Sequence, residues 1–163
     1  MAASGCDEKR NLATVDLAAV ARQARDADAA ADAVRALPPA GFVFHESRVG
    51  STLAANALAA MDPAGHRVYS EAHPVNDALK ACDGRPACDA GVGAALLRDV
   101  VYLMGRTASP RERRLFFKVS SVGAKRIAVV QEAFPAVPWI FVYRDPRECV
   151  RASHASSAPP PRR

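Results

Sequence analysis

The sequence lacks any run of apolar residues near the ~20 needed to cross a bilayer, and its amino terminus, Asp7-Glu8-Lys9-Arg10, is charged where a signal peptide would be apolar. As written, the chain is expected in the cytosol or stroma, with a lumenal place open if the amino terminus is incomplete. Cysteines number four, and Cys6, Cys82, Cys88 and Cys149 have no metal-ligand spacing. Cys82 and Cys88 flank a turn-prone stretch, but two free thiols are the expected state in a reducing compartment. No two histidines share a helix face at ligand spacing, so no metal site is expected. Arginine-rich helices with interleaved aromatics are missing too, which argues against nucleic-acid binding.

What is present is enough for one domain. The chain has 163 residues, half of them apolar and 24% charged, with a formal net charge of +5. An excess of arginine fits an anionic ligand, and equally a weak nucleic-acid or membrane-surface binder. The sequence locates a place for one at Phe42-Val43-Phe44-His45-Glu46-Ser47-Arg48-Val49-Gly50-Ser51-Thr52, followed by an alanine-rich run to Met61. An apolar strand that breaks into a loop with a cation, a glycine and two hydroxyls, then reopens as a helix, is an anion cradle. The first helical turn has backbone N–H groups without intrahelical partners, and the helix dipole favours negative charge there.

Along the chain, residues 1–10 and the tail 156–163 are expected to be disordered, and 11–37 to be an alanine-faced helix on the outside of the domain, stopped by Pro38-Pro39. An α/β domain over 40–155 follows. Strands are expected at 42–44, 67–70, 115–119 and 139–143, the last being the strongest and apolar throughout, as for a strand buried on both faces. Helices are expected after each. Leu53, Ala57, Leu58 and Met61 give the first an apolar face, Val75 to Leu79 form a short turn, and Asp89 caps a helix over 92–105 whose core face is Leu96, Leu97, Val100, Val101 and Met104. Ser120 or Ser121 caps a helix over 123–134, and Asp145-Pro146 starts another. The alternation predicts a three-layer α/β sandwich with a central, mostly parallel, P-loop-like sheet, and every polar loop named here falls at a strand's carboxyl end, where such sheets bind ligands.

A nucleotide-hydrolysing P-loop requires lysine between its last glycine and its hydroxyl, and an acid on a neighbouring strand for Mg²⁺. Here Gly50 runs directly into Ser51, the basic residue Arg48 comes earlier, and Lys118-Val119-Ser120 has no acid. A nucleotide kinase or hydrolase is thus a weaker alternative.

Arg48-Val49-Gly50-Ser51-Thr52 and, on a later strand, Phe141-Val142-Tyr143-Arg144-Asp145-Pro146 with Ser153 beyond it together resemble the two marks of the sulfotransferase family. These enzymes move a sulfonate from 3′-phosphoadenosine 5′-phosphosulfate (PAPS) to a hydroxyl or amine. The resemblance implies that Arg48, Val49, Gly50, Ser51 and Thr52 hold the 5′-phosphosulfate and that Arg144 and Ser153 hold the 3′-phosphate, without metal. A small molecule or carbohydrate would be the acceptor. Its proton needs a base, for which Glu71 is preferred to His73, both at the end of the second strand, while Lys118 would steady the leaving phosphate. The family's catalytic domain is longer than this chain, so truncation at the carboxyl end is expected, leaving a non-catalytic binding domain as another alternative.

Each assignment has a plainer rival: a surface pair of Arg48 with Glu46, a bridge from Arg144 to Asp145 or Glu148, a solvated loop for Glu71 and His73, an edge strand with a solvated Lys118. His45 is read as orienting the loop or being satisfied by it.

Overall fold

The computed structural model describes residues 15–149 apart from 32, 86, 87 and 89. The expected disordered ends, the Asp89 cap and Ser153 lie outside the described residues. In chain order the elements are α1 (Leu17–Ala30), β1 (Arg35–Ala36), β2 (Pro39–His45), α2 (Ser51–Met61), β3 (His66–Ser70), α3 (His73–Lys80), α4 (Ala90–Gly105), β4 (Arg106–Thr107), β5 (Arg114–Lys118), a 3₁₀ segment (Ser121–Arg126), α5 (Ile127–Ala133) and β6 (Trp139–Val142). Residues 146–149 are helical again, and Asp145 caps them, its side chain accepting from the Arg147 N–H at 2.8 Å.

Strands β3-β5-β2-β6 form one sheet in that order, every pair parallel, and helices flank it as a three-layer α/β sandwich. Strand alternation sorts the side chains by layer. Phe42 and Phe44 of β2, and Leu115 and Phe117 of β5 with the following Val119, point into the main core beneath α3, α4 and α5, among Val75, Leu79, Leu97, Val101 and Val130. Phe42 and Phe117 stack with centroids 5.7 Å apart, and Tyr69 of β3 continues the stack at 5.5 Å from Phe117. Residues of opposite parity, Val43 and His45 on β2 and Phe116 and Lys118 on β5, face the layer that holds α2. That parity brings His45 and Lys118 to the start of α2.

The α2 helix uses the expected face only at Leu58, which is half-buried and lines a groove with Val43 and Phe116. Ser51 and Ala55 are buried, whereas Leu53 is 75% exposed and Ala57 and Met61 are exposed as well. Alanine lets the helix axis lie close to β3, and an alanine-rich helix has little apolar contrast to fix its rotation from sequence.

The first helix is also shorter than expected. Ala31 adopts extended backbone and ends it, and Arg35–Ala36 pairs antiparallel with Arg106–Thr107 as a two-stranded ribbon. As expected of an alanine face, α1 is an outer element, and much of its attachment to α4 and the start of β4 is polar: Arg25 to Asp99 at 2.7 Å, Arg106 to Asp28 at 2.7 Å, and the Tyr102 hydroxyl donating to Asp28 at 2.8 Å.

Two further expectations are corrected. Among the described residues β6 is an edge strand with β2 as its one neighbour in the sheet, and Ile140 is 53% exposed, with Trp139 and Phe141 exposed beside it. An apolar strand reads the same from sequence whether it lies between two strands or beside one. The second correction is that Cys82 and Cys88 form a disulfide closing the turn between α3 and α4.

Candidate functional site

At the carboxyl edge of the sheet lies a cavity of about 540 Å³, lined by His45, Ser47 to Thr52, Glu71, Lys118 and Ser121. The strand register assembles it. Ser70, Lys118 and Val43 stand level across β3, β5 and β2, so Glu71 and His45, one and two residues further on, reach just past the sheet's end.

One wall is the turn from β2 into α2. Gly50 has φ +82°, a backbone conformation natural to glycine, and Arg48 takes the left-handed region too, at φ +63°. No side chain caps α2; the Leu53 N–H donates to the Gly50 carbonyl at 2.9 Å, and the N–H groups of Ser51 and Thr52 are the ones left for a ligand or water. Ser51 is buried at this turn and Thr52 exposed, both lining the cavity. Arg48 is exposed, and among the described residues no ion pair joins it to Glu46.

The opposite wall carries charge in pairs. Lys118 is only 3% exposed and sits on an interior strand rather than an edge; its ammonium donates to the Glu71 carboxylate, whose side chain is 47% exposed. This contact holds the Glu71 carboxyl below the usual carboxylate range; burial opposes that, and His45 adds to the lowering. Glu71 has φ +54°, uncommon for a residue with a side chain. Asn76 of α3, itself buried, accounts for how the turn is held: its amide donates to the Glu71 carbonyl at 3.0 Å and accepts from the Ser120 N–H at 3.2 Å.

His45 completes the cluster. It is 5% exposed, its Nδ1 lies 2.7 Å from the Glu46 carbonyl oxygen, and its Nε2 lies 3.4 Å from Glu71 Oε1. The loop thus satisfies one ring nitrogen only. Nε2 has no hydrogen bond and is the one buried side-chain polar atom so left among the described residues.

Of the residues expected at the site from sequence, Arg48, Val49, Gly50, Ser51, Thr52, Glu71 and Lys118 come together around one cavity. His73 does not line it; it is the exposed first residue of α3, carried away by the start of that helix. Arg144 also lies outside its lining. It is exposed at the end of β6 and donates to Glu148 four residues on, the plainer of its two expected roles. His45, Ser47, Ser121 and the Asn76 clamp were not singled out for the site. For His45 a signal existed: it shares the strand parity of Val43 and directly precedes the cradle.

Among the described residues no group of three or more His, Cys, Asp or Glu side chains is gathered as metal ligands, and no helix is long and apolar enough to cross a membrane. Compared with protein-family models, curated proteins and solved structures, the chain matches none.

Proposed function

We propose that this cavity binds the 5′-phosphosulfate of PAPS and that the chain belongs to the sulfotransferases, passing the sulfonate to a hydroxyl or amine of a small molecule or carbohydrate. The observation that carries the reading is the meeting of an uncapped helix start, an Arg48 with no ion pair among the described residues, two hydroxyls and the buried Lys118 around one cavity at the carboxyl edge of a parallel sheet. A guanidinium forks onto two oxygens, and N–H groups from a glycine turn add donors without bulk. A sulfonate in transfer carries less negative charge than a phosphoryl group, so these donors suit it.

Fit differs between the two ends of the donor. At the phosphosulfate end Arg48, Gly50, Ser51, Thr52 and Lys118 would hold the group, and Lys118 would meet charge developing on the leaving phosphate. At the 3′-phosphate end Arg144 stands on the same edge of the sheet but is engaged by Glu148, so binding there requires an exchange of partners. The Cys82–Cys88 disulfide favours an oxidising compartment over the cytosol.

Titration calorimetry with 3′,5′-adenosine bisphosphate tests the reading, run with and without Mg²⁺ and beside ATP. Metal-independent binding of the bisphosphate, weakened at least about tenfold in Arg48→Ala by loss of one charge-assisted contact, is the expected result. Binding of ATP only with Mg²⁺ would replace it by a nucleotide kinase or hydrolase, and binding of neither by a non-catalytic domain.

A further inference from the structure

We infer that α2 and the groove beside it are the contact face of a two-fold dimer, so that the occupant of this face is a second copy of the chain. One side of the sheet is only partly covered. Among the described helices, α3, α4 and α5 pack on the other side and α1 attaches to α4, which leaves α2 alone on this one, mainly against β3. A helix is about 10 Å across and neighbouring strands are about 4.8 Å apart, so one helix shelters roughly two strands of the four. Over β2 and β6 the cover runs out. A groove of about 160 Å³ opens there, lined by Leu58 of α2 and by Val43, Phe116, Trp139 and Ile140 of the strands.

The outward side of α2 has the same character. Leu53, Ala57 and Met61 recur every four residues as one exposed stripe, and Leu53 and Met61 are 75% and 73% exposed. None of the 11 residues of α2 is charged, in a chain where 24% of residues are. A helix with one side in water ordinarily turns charged and polar residues to that side. Here the water side is apolar and neutral, the composition of an interface core, where charged side chains are depleted.

Two features of the face select a second copy as its occupant. It holds both a ridge, the stripe from Leu53 to Met61, and a groove, so a two-fold axis lets each copy seat its ridge in the groove of the other. Carrying both halves of the fit on one face is what a self-complementary contact requires. The second feature is charge. The chain has a formal net charge of +5, and two copies repel least where neither brings a cation, as along α2. The same neutrality gives a strongly acidic or basic partner nothing to hold. Residues 150–163 have Val150 as their one large apolar side chain, too little to fill the groove from within this sequence. An 11-residue helix is about 16 Å long, and a face of that length with the groove beside it falls at the small end of interface sizes, so the dimer is expected to dissociate on dilution.

Sedimentation of the full chain over about a hundredfold range of concentration tests this, together with carbon NMR of the methionine methyl groups along the same series. The parent is expected to pass from monomer to dimer and no further. The Met61 methyl signal should move in step, while that of Met104, packed against the core, stays in place. Leu53→Lys is expected to weaken the dimer about 100-fold or more, because two-fold symmetry brings the new charge in twice. Its urea midpoint should match that of the parent, since the position is three-quarters exposed. Leu53 is the discriminating position: Ile140 belongs both to the groove and to the edge strand β6, whereas Leu53 stands on α2 alone. A chain that stays monomeric throughout overturns the inference, as does a dimer that forms with the Met61 signal unmoved. Association as strong in Leu53→Lys as in the parent overturns it by assigning the contact to β6, and growth beyond two copies overturns it because such a contact does not close on a two-fold axis.

Discussion

Lys118 and Glu71 form an ion pair across the neighbouring strands β5 and β3 in which the two partners stand in different media: the ammonium is 3% exposed, and the carboxylate side chain is about half in water. An ion pair divided in this way does not lose the same stability from its two ends. Glu71→Gln leaves a buried ammonium without its counter-charge, and we expect a cost of roughly 1–3 kcal/mol, below the range for a fully buried pair because water reaches the carboxylate side. Lys118→Met keeps the volume and leaves a carboxylate that water can solvate, so its cost should stay under about 1 kcal/mol. The double variant should resemble Lys118→Met. Urea denaturation of the three proteins measures this, and equal costs for the two single variants would count against the burial asymmetry as its cause.

Acid should destabilise the chain through a small set of carboxylates. Glu112 is held below its ordinary value of 4.5 first by the Thr107 hydroxyl and then by the Arg67 guanidinium, and Glu71 by Lys118. Asp62 is lowered below 3.8 by Arg113. Because these groups titrate lower folded than unfolded, the unfolded chain binds more protons in that window. The stability they contribute is present above the ordinary values and is lost as pH falls through the folded ones. Denaturation midpoints should therefore hold steady at neutral pH and drop below about pH 4.5, and Glu112→Gln should flatten the drop. A midpoint that rises on acidification would contradict these pairings.

The Cys82–Cys88 disulfide closes a loop with a sequence separation of 6. Restricting so short a loop in the unfolded chain is worth about 2 kcal/mol by the loop-entropy relation. Reduction, or Cys82→Ser, should lower stability by about that amount in matched denaturation curves. An unchanged curve under strong reductant would mean that the disulfide contributes nothing to the folded state.

The parts of the fold that were legible in the sequence rest on short-range pattern. Strand positions 42–44, 67–70 and 115–119, the helix after each and the cradle at Arg48 to Thr52 all follow from periodicity and from turn chemistry at strand ends. Features that depend on what a distant segment does were not. The rotation of α2 is set by how closely Ala55 lets it approach the sheet, and nothing in its alanines distinguishes one face from another. His73 and Glu71 lie two residues apart and look equivalent as bases, but the left-handed turn at Glu71 sends one into the cavity and starts α3 with the other. The meeting of His45 Nε2 with Glu71 exists only once β2, β3 and the loop are in place. Cys82 and Cys88 have a spacing that fits free thiols or a disulfide, and the turn between α3 and α4 decides between them.

β6 presents the last consequence. Its outer edge has no strand partner among the described residues, and Trp139, Ile140 and Phe141 are exposed along it. Beside it runs a shallow apolar groove of about 160 Å³ lined by Gly41, Val43, Leu58, Phe116, Pro138 and Ile140. Open backbone donors and acceptors next to apolar side chains are a template for pairing with another chain. The isolated protein should therefore self-associate as its concentration rises, and Ile140→Lys should suppress this by setting a charge on the edge, with a change in stability within about 0.5 kcal/mol because the position is exposed. Trp139, the one tryptophan of the chain, reports on it directly. Its emission should shift to shorter wavelength with concentration in the parent and stay fixed in Ile140→Lys, with light scattering following the same contrast. If emission and scattering are independent of concentration in both proteins, exposed apolar side chains and open hydrogen-bonding groups on β6 are not enough to bring two copies together.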